Sequence, residues 1–128
     1  MLRNTLLLAA IALGGCGSRP ATPEAPWSDA QAKLFFNDKG CNACHATDEL
    51  RIGPAYRSVA QLYADRSEDA VERLGLKIRH GGAGAWGTVP MVSHPNLTDP
   101  EARSAARWVL SLPAQPPATP RPPEAAGR

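Results

Sequence analysis

Two cysteines and a histidine stand within five positions in the stretch KGCNACHATD, residues 39 to 48, and this spacing limits the folds open to the chain. A Cys-x-x-Cys pair serves thiol–disulfide exchange, one half of a zinc site, or covalent attachment of a haem. Cys41, Cys44 and His45 are therefore the first candidate functional residues. The rest of the sequence has to decide among these three chemistries.

The first fifteen residues are typical of a secretory signal. Arg3 gives a positive start, LLLAAIAL forms an apolar core, and small residues follow it. The apolar run is too short to cross a bilayer as a helix. Leu13 to Cys16, read LGGC, resembles the lipobox of bacterial lipoproteins, which implies that Cys16 is lipidated and becomes the new N-terminus. The alternative is a leftover cysteine in an ordinary signal peptide.

Proline-rich segments bracket the middle of the chain. SRPATPEAP, residues 18 to 26, and PAQPPATPRPPEAAGR, residues 113 to 128, lack apolar periodicity. We expect a lipidated cysteine and a tether over residues 16–27, and a disordered tail over residues 113–128. A single domain then remains over residues 28–112.

The remaining domain is small and carries equal numbers of basic and acidic side chains. Because it has no basic stripe, nucleic acid is not an expected partner. A domain of this size struggles to stabilise itself by apolar burial alone. Cys41 and Cys44 are too close in sequence for a disulfide to close a useful loop. A large buried cofactor would supply the missing core.

Two capping boxes mark the first and last helices of the domain. Ser28 with Gln31 precedes an apolar face and predicts a helix that ends at the cysteine motif. Thr98 with Glu101 predicts the start of a last helix, which Pro113 closes. Both helices have apolar residues at intervals of three and four, so each is expected to bury one face.

Two further helices are expected between these ends. Pro54 can occupy the first turn of the second, and Ser67 is the expected N-cap of the third, which should stop at Gly81 and Gly82. Residues 81–96 are rich in glycine and proline and show no strand periodicity. The sequence therefore predicts an all-α domain without strands.

The Cys-x-x-Cys-His pattern is typical of c-type haem attachment. Cys41 and Cys44 would each add to one vinyl group of the same porphyrin, and His45 would then stand beneath the iron. A thiol-exchange site lacks the βαβ context expected around it. A zinc site needs two more ligands, and His80 and His94 stand at no recognised spacing. Haem is the favoured interpretation.

Met91 is the candidate for the second axial position of the iron, because Met1 leaves with the signal. A thioether favours ferrous iron, so a His/Met pair raises the reduction potential and suits electron transfer. The alternatives are His80 or His94 as the second ligand, or Met91 as an adaptable filler of the core.

Residues 28–112 resemble a short bacterial class I cytochrome c, the small monohaem type. The segments KGCNACHATDELRIGPAY, IRHGGAGAWGTVPM and LTDPEARSAARWVLSL carry this resemblance, in family order and spacing. It implies a class I cytochrome c fold, all-α, with about four helices wrapped around one covalently attached haem c. It also implies that the first and last helices meet, with Phe35 or Phe36 and Trp108 in or near the contact.

The resemblance also implies roles for individual residues. Cys41 and Cys44 would form the thioethers to haem c. His45 would bind the iron on the proximal side and Met91 on the distal side. The carbonyl of Pro54 would accept the second ring N–H of His45, which fixes the ring and makes it a better donor.

Two further residues are expected near the haem propionates. Trp86 would direct its indole N–H to one propionate, and Lys77 would lie near it as a positive partner. The alternatives are a core tryptophan and a solvated lysine on a helix. Many relatives carry an asparagine three residues after the methionine, whereas this chain has His94, so either His94 or Asn96 is a candidate to contact the Met91 sulfur.

The expected function is that of a lipid-anchored electron carrier on the periplasmic side of a bacterial membrane. Redox partners would dock on the apolar rim near Cys44, Pro90, Met91 and Val92. The main alternative is a haem subunit held permanently by a redox enzyme or terminal oxidase. A gas-binding sensor needs an open iron position, against which Met91 argues.

Overall fold

The computed structural model describes residues 25–65 and 67–116, so the predicted signal peptide, the lipidated Cys16 and the tail beyond residue 116 lie outside the described residues. The described part contains four α-helices: α1 (Asp29–Asp38), α2 (Tyr56–Leu62), α3 (Glu68–His80) and α4 (Asp99–Ser111). A 3₁₀ turn, Cys41–Ala43, follows α1. Within the described residues, no helix combines the length and apolarity that a bilayer crossing requires.

Both predicted capping boxes are present. The Ser28 hydroxyl accepts from the Gln31 N–H, and the Gln31 side chain accepts from the Ser28 N–H. Thr98 and Glu101 repeat this arrangement at the start of α4. Each box satisfies backbone N–H groups that have no partner inside the helix, so these two starts are set by local sequence.

Of the two middle helices, α3 has the bounds that the sequence predicts and α2 does not. Ser67 caps α3 by accepting from the Ala70 N–H, and α3 ends at Gly81 as expected. In contrast, α2 begins at Tyr56, so Pro54 lies before the helix and not in its first turn. Ala55 is the N-cap of α2 and its backbone is extended, with φ −60° and ψ 142°, so Pro54 belongs to the preceding loop.

The prediction of a domain without strands was wrong at residues 82–91. This segment folds into an antiparallel hairpin of β1 (Gly82–Gly84) and β2 (Gly87–Met91), with Gly82 paired to Met91 and Gly84 to Gly87. Every residue of the two strands except Met91 is exposed, so they have no buried face to impose an alternating pattern. Glycines with positive φ shape the backbone instead, and the domain remains mostly helical.

An aromatic cluster joins the helices beneath the cysteine motif. The Phe36 ring on α1 lies 5.1 Å from Trp108 on α4 and 5.0 Å from Tyr56 on α2, between ring centroids. The Trp108 indole N–H donates to Asp29 Oδ1 at 3.1 Å. The first and last helices therefore meet at Phe36 and Trp108, as expected, whereas Phe35 is only partly buried and packs on Trp27.

Candidate haem-binding site

The Cys-x-x-Cys-His motif forms a single tight turn directly after α1. Gly40, with φ 74°, ends the helix and starts the turn. The N–H groups of Cys44 and His45 both donate to the Cys41 carbonyl, at 3.1 and 3.0 Å. Cys41 and Cys44 are free and half-buried, so two unpaired thiols and one imidazole emerge from one turn of backbone.

The His45 ring is fixed by the loop before α2. Its Nδ1–H donates to the Pro54 carbonyl at 2.8 Å, which leaves the Nε2 lone pair to bind a metal. The Tyr56 ring lies nearly parallel to the imidazole, with centroids 5.5 Å apart and an angle of 17°. A hydrogen bond and a stacked ring thus hold the orientation of the ligand.

The residue at position 53 must be glycine for this arrangement. A Cβ atom at Gly53 would lie 2.4 Å from His45 Cε1, which is far inside contact distance. The Gly53 N–H donates to the Cys44 carbonyl at 2.8 Å, so this close approach is part of the fold. The glycine lets the Gly53-Pro54 backbone lie against the imidazole.

Two more backbone hydrogen bonds join the loop after His45 to the start of α2. The Tyr56 N–H donates to Ala46 O at 2.9 Å, and the Arg57 N–H donates to Thr47 O at 3.2 Å. We call this pairing of residues 46–48 with residues 56–57 the proximal seam. It keeps the Pro54 carbonyl within reach of His45.

Asn42, between the two cysteines, connects the turn to its surroundings. Its side-chain oxygen accepts from the Tyr56 hydroxyl at 3.1 Å, and its backbone carbonyl accepts from the Arg51 guanidinium at 2.9 Å. Tyr56 therefore serves both His45 and the cysteine turn. Neither Tyr56 nor Asn42 was predicted from the sequence to have a role at this site.

Met91 lies at the end of β2, where the hairpin returns to the end of α3. Its side chain is partly buried and packs against the same core as Cys41. Gly81 has φ 68°, and a Cβ there would lie 2.3 Å from Met91 O. The glycine thus allows the backbone of Met91 to pass directly over the end of α3.

Lys77 and Trp86 lie on and beside the same hairpin. The Lys77 ammonium donates to Gly82 O at 2.7 Å and to Ala83 O at 3.3 Å. Trp86 stands in the turn between the strands and is 38% exposed. Within the described residues its indole N–H has no hydrogen-bond partner, so it is available to an acceptor outside the protein chain.

The histidines proposed as rival ligands have other positions. His94 Nδ1–H donates to Ile78 O at 3.2 Å, and the His94 backbone N–H donates to Arg79 O at 2.9 Å. His80 is exposed at the end of α3. Among the residues that the structure covers, neither His94 nor Asn96 forms a hydrogen bond to the Met91 sulfur.

The geometry disfavours the two other uses of a Cys-x-x-Cys pair. Burial raises the pKa of the Cys41 thiol, whereas exchange-active cysteines have lowered pKa values. Over residues 25–65 and 67–116, no three His, Cys, Asp or Glu side chains are grouped closely enough to hold a metal ion. A zinc site would need four such ligands.

The residues fit a haem. Large apolar side chains beside both ligand segments are mostly exposed: Ile52 at 68%, Val89 at 64% and Val92 at 66%. Ile52 precedes Gly53 in the loop that holds His45, and Val89 and Val92 stand near Met91 in the sequence. An apolar ring carried by the two free thiols would give these side chains a partner, with an imidazole and a thioether available to its iron.

The family model for cytochrome c matches residues 30–113. The chain belongs to the cytochrome c family. This cytochrome c carries one covalently attached haem c, and it is an electron carrier and not an enzyme. The haem supplies the one-electron couple between ferric and ferrous iron.

Named relatives are bacterial cytochromes that this chain matches over most of their length. Cytochrome c-552 of Hydrogenobacter thermophilus is 51% identical over 74 residues, which cover 58% of this chain and 74% of that protein. Cytochrome c-551 of Pseudomonas aeruginosa is 40% identical over 106 residues, covering 82% and 93% of the two chains. The predicted bacterial class I monohaem family is confirmed.

The crystal structure of Nitrosomonas europaea cytochrome c552 has the same fold. The two structures align with a TM-score of 0.59 at 37% sequence identity, over 66% of this chain and 99% of that one. The predicted class I cytochrome c fold is therefore confirmed, with the two-stranded hairpin as an addition to its helices.

Proposed function

We propose that this cytochrome c passes single electrons between respiratory proteins through a haem bound by His45 and Met91. The observation that carries the proposal is the 2.8 Å hydrogen bond from His45 Nδ1–H to Pro54 O. It fixes the tautomer that presents Nε2 to iron and raises the basicity of the ligand. Because the fold determines both ligand positions, little has to reorganise when an electron arrives or leaves.

Each remaining site residue has a proposed role. Cys41 and Cys44 form the thioethers that hold the haem, and their shared turn sets the spacing. Trp86 donates its indole N–H to a haem propionate. The support is that this N–H, in the hairpin turn, has no hydrogen-bond partner among the described residues. Lys77, bonded to β1 carbonyls, adds positive charge near that group.

The docking surface for redox partners is the exposed apolar rim beside Met91. Val89 and Val92 are about two-thirds exposed, and Pro90 lies between Val89 and Met91. Small apolar contacts without strong charge complementarity favour short-lived complexes. Such complexes suit a carrier that must leave each partner after one electron.

We further propose that the chain is exported and anchored to the periplasmic side of a bacterial membrane through Cys16. The support is the signal-like start and the LGGC sequence before Cys16. Mass spectrometry of the mature protein should find a lipid on an N-terminal cysteine. A mature chain that begins elsewhere, or Cys16→Ser protein that remains in the membrane fraction, would contradict the anchor.

The second candidate function is that of a haem subunit bound permanently to a redox enzyme or terminal oxidase. The exposed apolar rim is the feature that favours it, because permanent interfaces are more apolar than transient ones. Purification in mild detergent separates the two functions. A lone protein supports the carrier, and a stoichiometric complex supports the subunit.

Absorption spectra of wild type, Met91→Ala and Val92→Ala test the ligand set. Wild type should show a near-infrared band from sulfur bound to ferric iron. Met91→Ala should lose this band, while Val92→Ala, which shortens the exposed neighbour, should keep it. A band that survives Met91→Ala would remove Met91 as the ligand.

A further inference from the structure

Residues 113–116 continue beyond α4 and lie across the start of α2; we call them the C-terminal strap. The Gln115 backbone N–H donates to Arg57 O at 3.2 Å. The Gln115 side-chain amide donates to Asp48 O at 3.0 Å. The Ser58 hydroxyl donates to Pro116 O at 3.3 Å. The first part of the proline-rich tail is therefore bonded to the domain.

The strap completes a buried polar group on α2. Ser58 is only 1% exposed, and a buried hydroxyl without a partner costs about 1–3 kcal/mol. Its hydrogen bond goes to Pro116, whereas the match to the family model stops at residue 113. The partner of Ser58 thus lies beyond the residues that the family model matches.

The strap bonds to the proximal seam from both sides. Asp48 and Arg57 belong to the two segments of the seam and form an ion pair at 2.9 Å. Gln115 bonds the carbonyl of each: Asp48 O with its side chain and Arg57 O with its backbone. One residue therefore bridges the loop that follows His45 and the helix that follows Pro54.

We propose that Gln115 is a positioning residue for the proximal ligand. By joining Asp48 and Arg57, it keeps the seam closed and holds the Pro54 carbonyl against His45 Nδ1–H. The inference rests on the proposed role of His45 as a ligand of the haem iron. The proposal gives the C-terminal strap a role at the haem site, in addition to its hydrogen bonds to α2.

The expected effect of losing the strap is local. The Tyr56 and Arg57 amides, which close the seam, should exchange with solvent roughly 3- to 10-fold faster when one hydrogen bond is removed. The Leu74 and Ile78 amides lie in α3, outside the strap and the seam, and should keep their rates. The reduction potential should rise, because a looser bond to Pro54 makes His45 a poorer donor to ferric iron.

Three variants of the haem protein, two of full length and one shortened, separate the contacts. Gln115→Ala removes only the side-chain amide. Gln115→Pro also removes the backbone N–H that bonds Arg57 O. A chain that stops after Leu112 removes the whole strap. Ala114→Ser is the matched control, because Ala114 is exposed in the same segment and no bond to the seam depends on its side chain.

Hydrogen exchange by NMR and a potential measurement decide the matter. The proposal is supported if exchange at Tyr56 and Arg57 becomes progressively faster from Gln115→Ala to Gln115→Pro to the shortened chain. The reduction potential should also rise in these variants, and Ala114→Ser should behave as wild type. Unchanged seam amides, or equal acceleration of every amide, overturns it, because the strap would then be idle or only a general stabiliser. A wild type without histidine-ligated haem would overturn the proposed function itself, and its spectrum shows this independently.

Discussion

At the scale of single residues, the haem site depends on glycines as much as on ligands. Gly53 lies against the His45 ring, and Gly81 lies against the backbone of Met91. Neither glycine touches iron in the proposed site. Both permit an approach that a Cβ atom would prevent, so their substitution tests the ligand geometry without removing a ligand.

Gly53→Ala should disturb His45. The added methyl group would lie 2.4 Å from His45 Cε1, so the ring or the Gly53-Pro54 backbone must move. We expect a loss of about 1–3 kcal/mol in the free energy of unfolding, as for overpacked cores. Chemical denaturation of the haem protein measures this loss.

Gly75→Ala is the control for Gly53→Ala. Gly75 lies inside α3, and a Cβ there meets atoms no closer than 3.6 Å, which is ordinary contact. Alanine in a helix interior should be neutral or stabilise by roughly 0.5–1 kcal/mol. Equal effects of the two substitutions would refute the steric role of Gly53.

Gly81→Ala should disturb Met91. Gly40 is in the left-handed region, with φ 74° and ψ 8°, where alanine costs about 1–2 kcal/mol of backbone strain. Gly81, with φ 68° and ψ −144°, has a conformation that glycine adopts far more readily than alanine, so the strain is greater there. Only at Gly81 does the Cβ also meet a backbone atom, Met91 O, at 2.3 Å. We therefore expect Gly81→Ala to weaken the near-infrared sulfur–iron band and Gly40→Ala to retain it. If both variants lost the band, backbone strain alone would explain the loss, and the close approach of Gly81 to Met91 would not be needed.

The residue scale also shows what the sequence can and cannot predict. Cys41, Cys44 and His45 were predicted as site residues because their chemistry is encoded in five adjacent positions. The bond from His45 to Pro54 was expected from the family resemblance, and the structure contains it. The stacking of Tyr56 on His45 was missed, because an apolar periodicity reports that a side chain is buried and not which ring it faces.

At the scale of elements, α3 and α4 are joined by an ion pair that responds to pH. The Arg107 guanidinium donates twice to Glu68, at 2.6 and 2.7 Å, and these bonds lower the pKa of the Glu68 carboxyl. The folded pKa thus lies below the unfolded one. The resulting stability is fully present above the unfolded pKa and is lost as the pH falls through the folded value.

Glu68→Gln should therefore lower the melting temperature near neutral pH, by an amount that shrinks as the pH approaches 3. The effect should be small, because the carboxylate is largely exposed. Glu49→Gln is the control with the same change in charge, and Glu49 forms no ion pair among the described residues. Thermal unfolding of the three proteins between pH 7 and pH 3 gives the result. A Glu68→Gln deficit that does not shrink in acid would contradict the ion-pair account.

Elements with local signals were predictable, and elements held by remote partners were not. Ser28 and Thr98 predict the starts of α1 and α4, because a capping box involves residues only three positions apart. The hairpin of residues 82–91 has exposed strands joined by backbone pairing, so its sequence has no alternating apolar pattern that would predict strands. The C-terminal strap bonds to partners at positions 48 to 58, which lie 58 to 67 residues earlier, and its own composition does not reveal them.

At the scale of the whole molecule, a short chain builds a redox site from a few helices and one cofactor. Its small apolar core includes Phe36, Tyr56 and Trp108, and Cys41 and Met91 pack against that core from separate parts of the chain. The same contacts therefore stabilise the fold and set the ligand geometry. We therefore expect the structure to change little with oxidation state.

The central claim is that both axial positions of the iron are filled by the protein, and a redox titration under argon and under carbon monoxide tests it most directly. Carbon monoxide binds ferrous iron only where a position is open, and such binding would raise the apparent potential. We predict one single-electron transition with the same midpoint in both gases. A midpoint that rises under carbon monoxide would contradict the account and indicate a gas-binding haem protein.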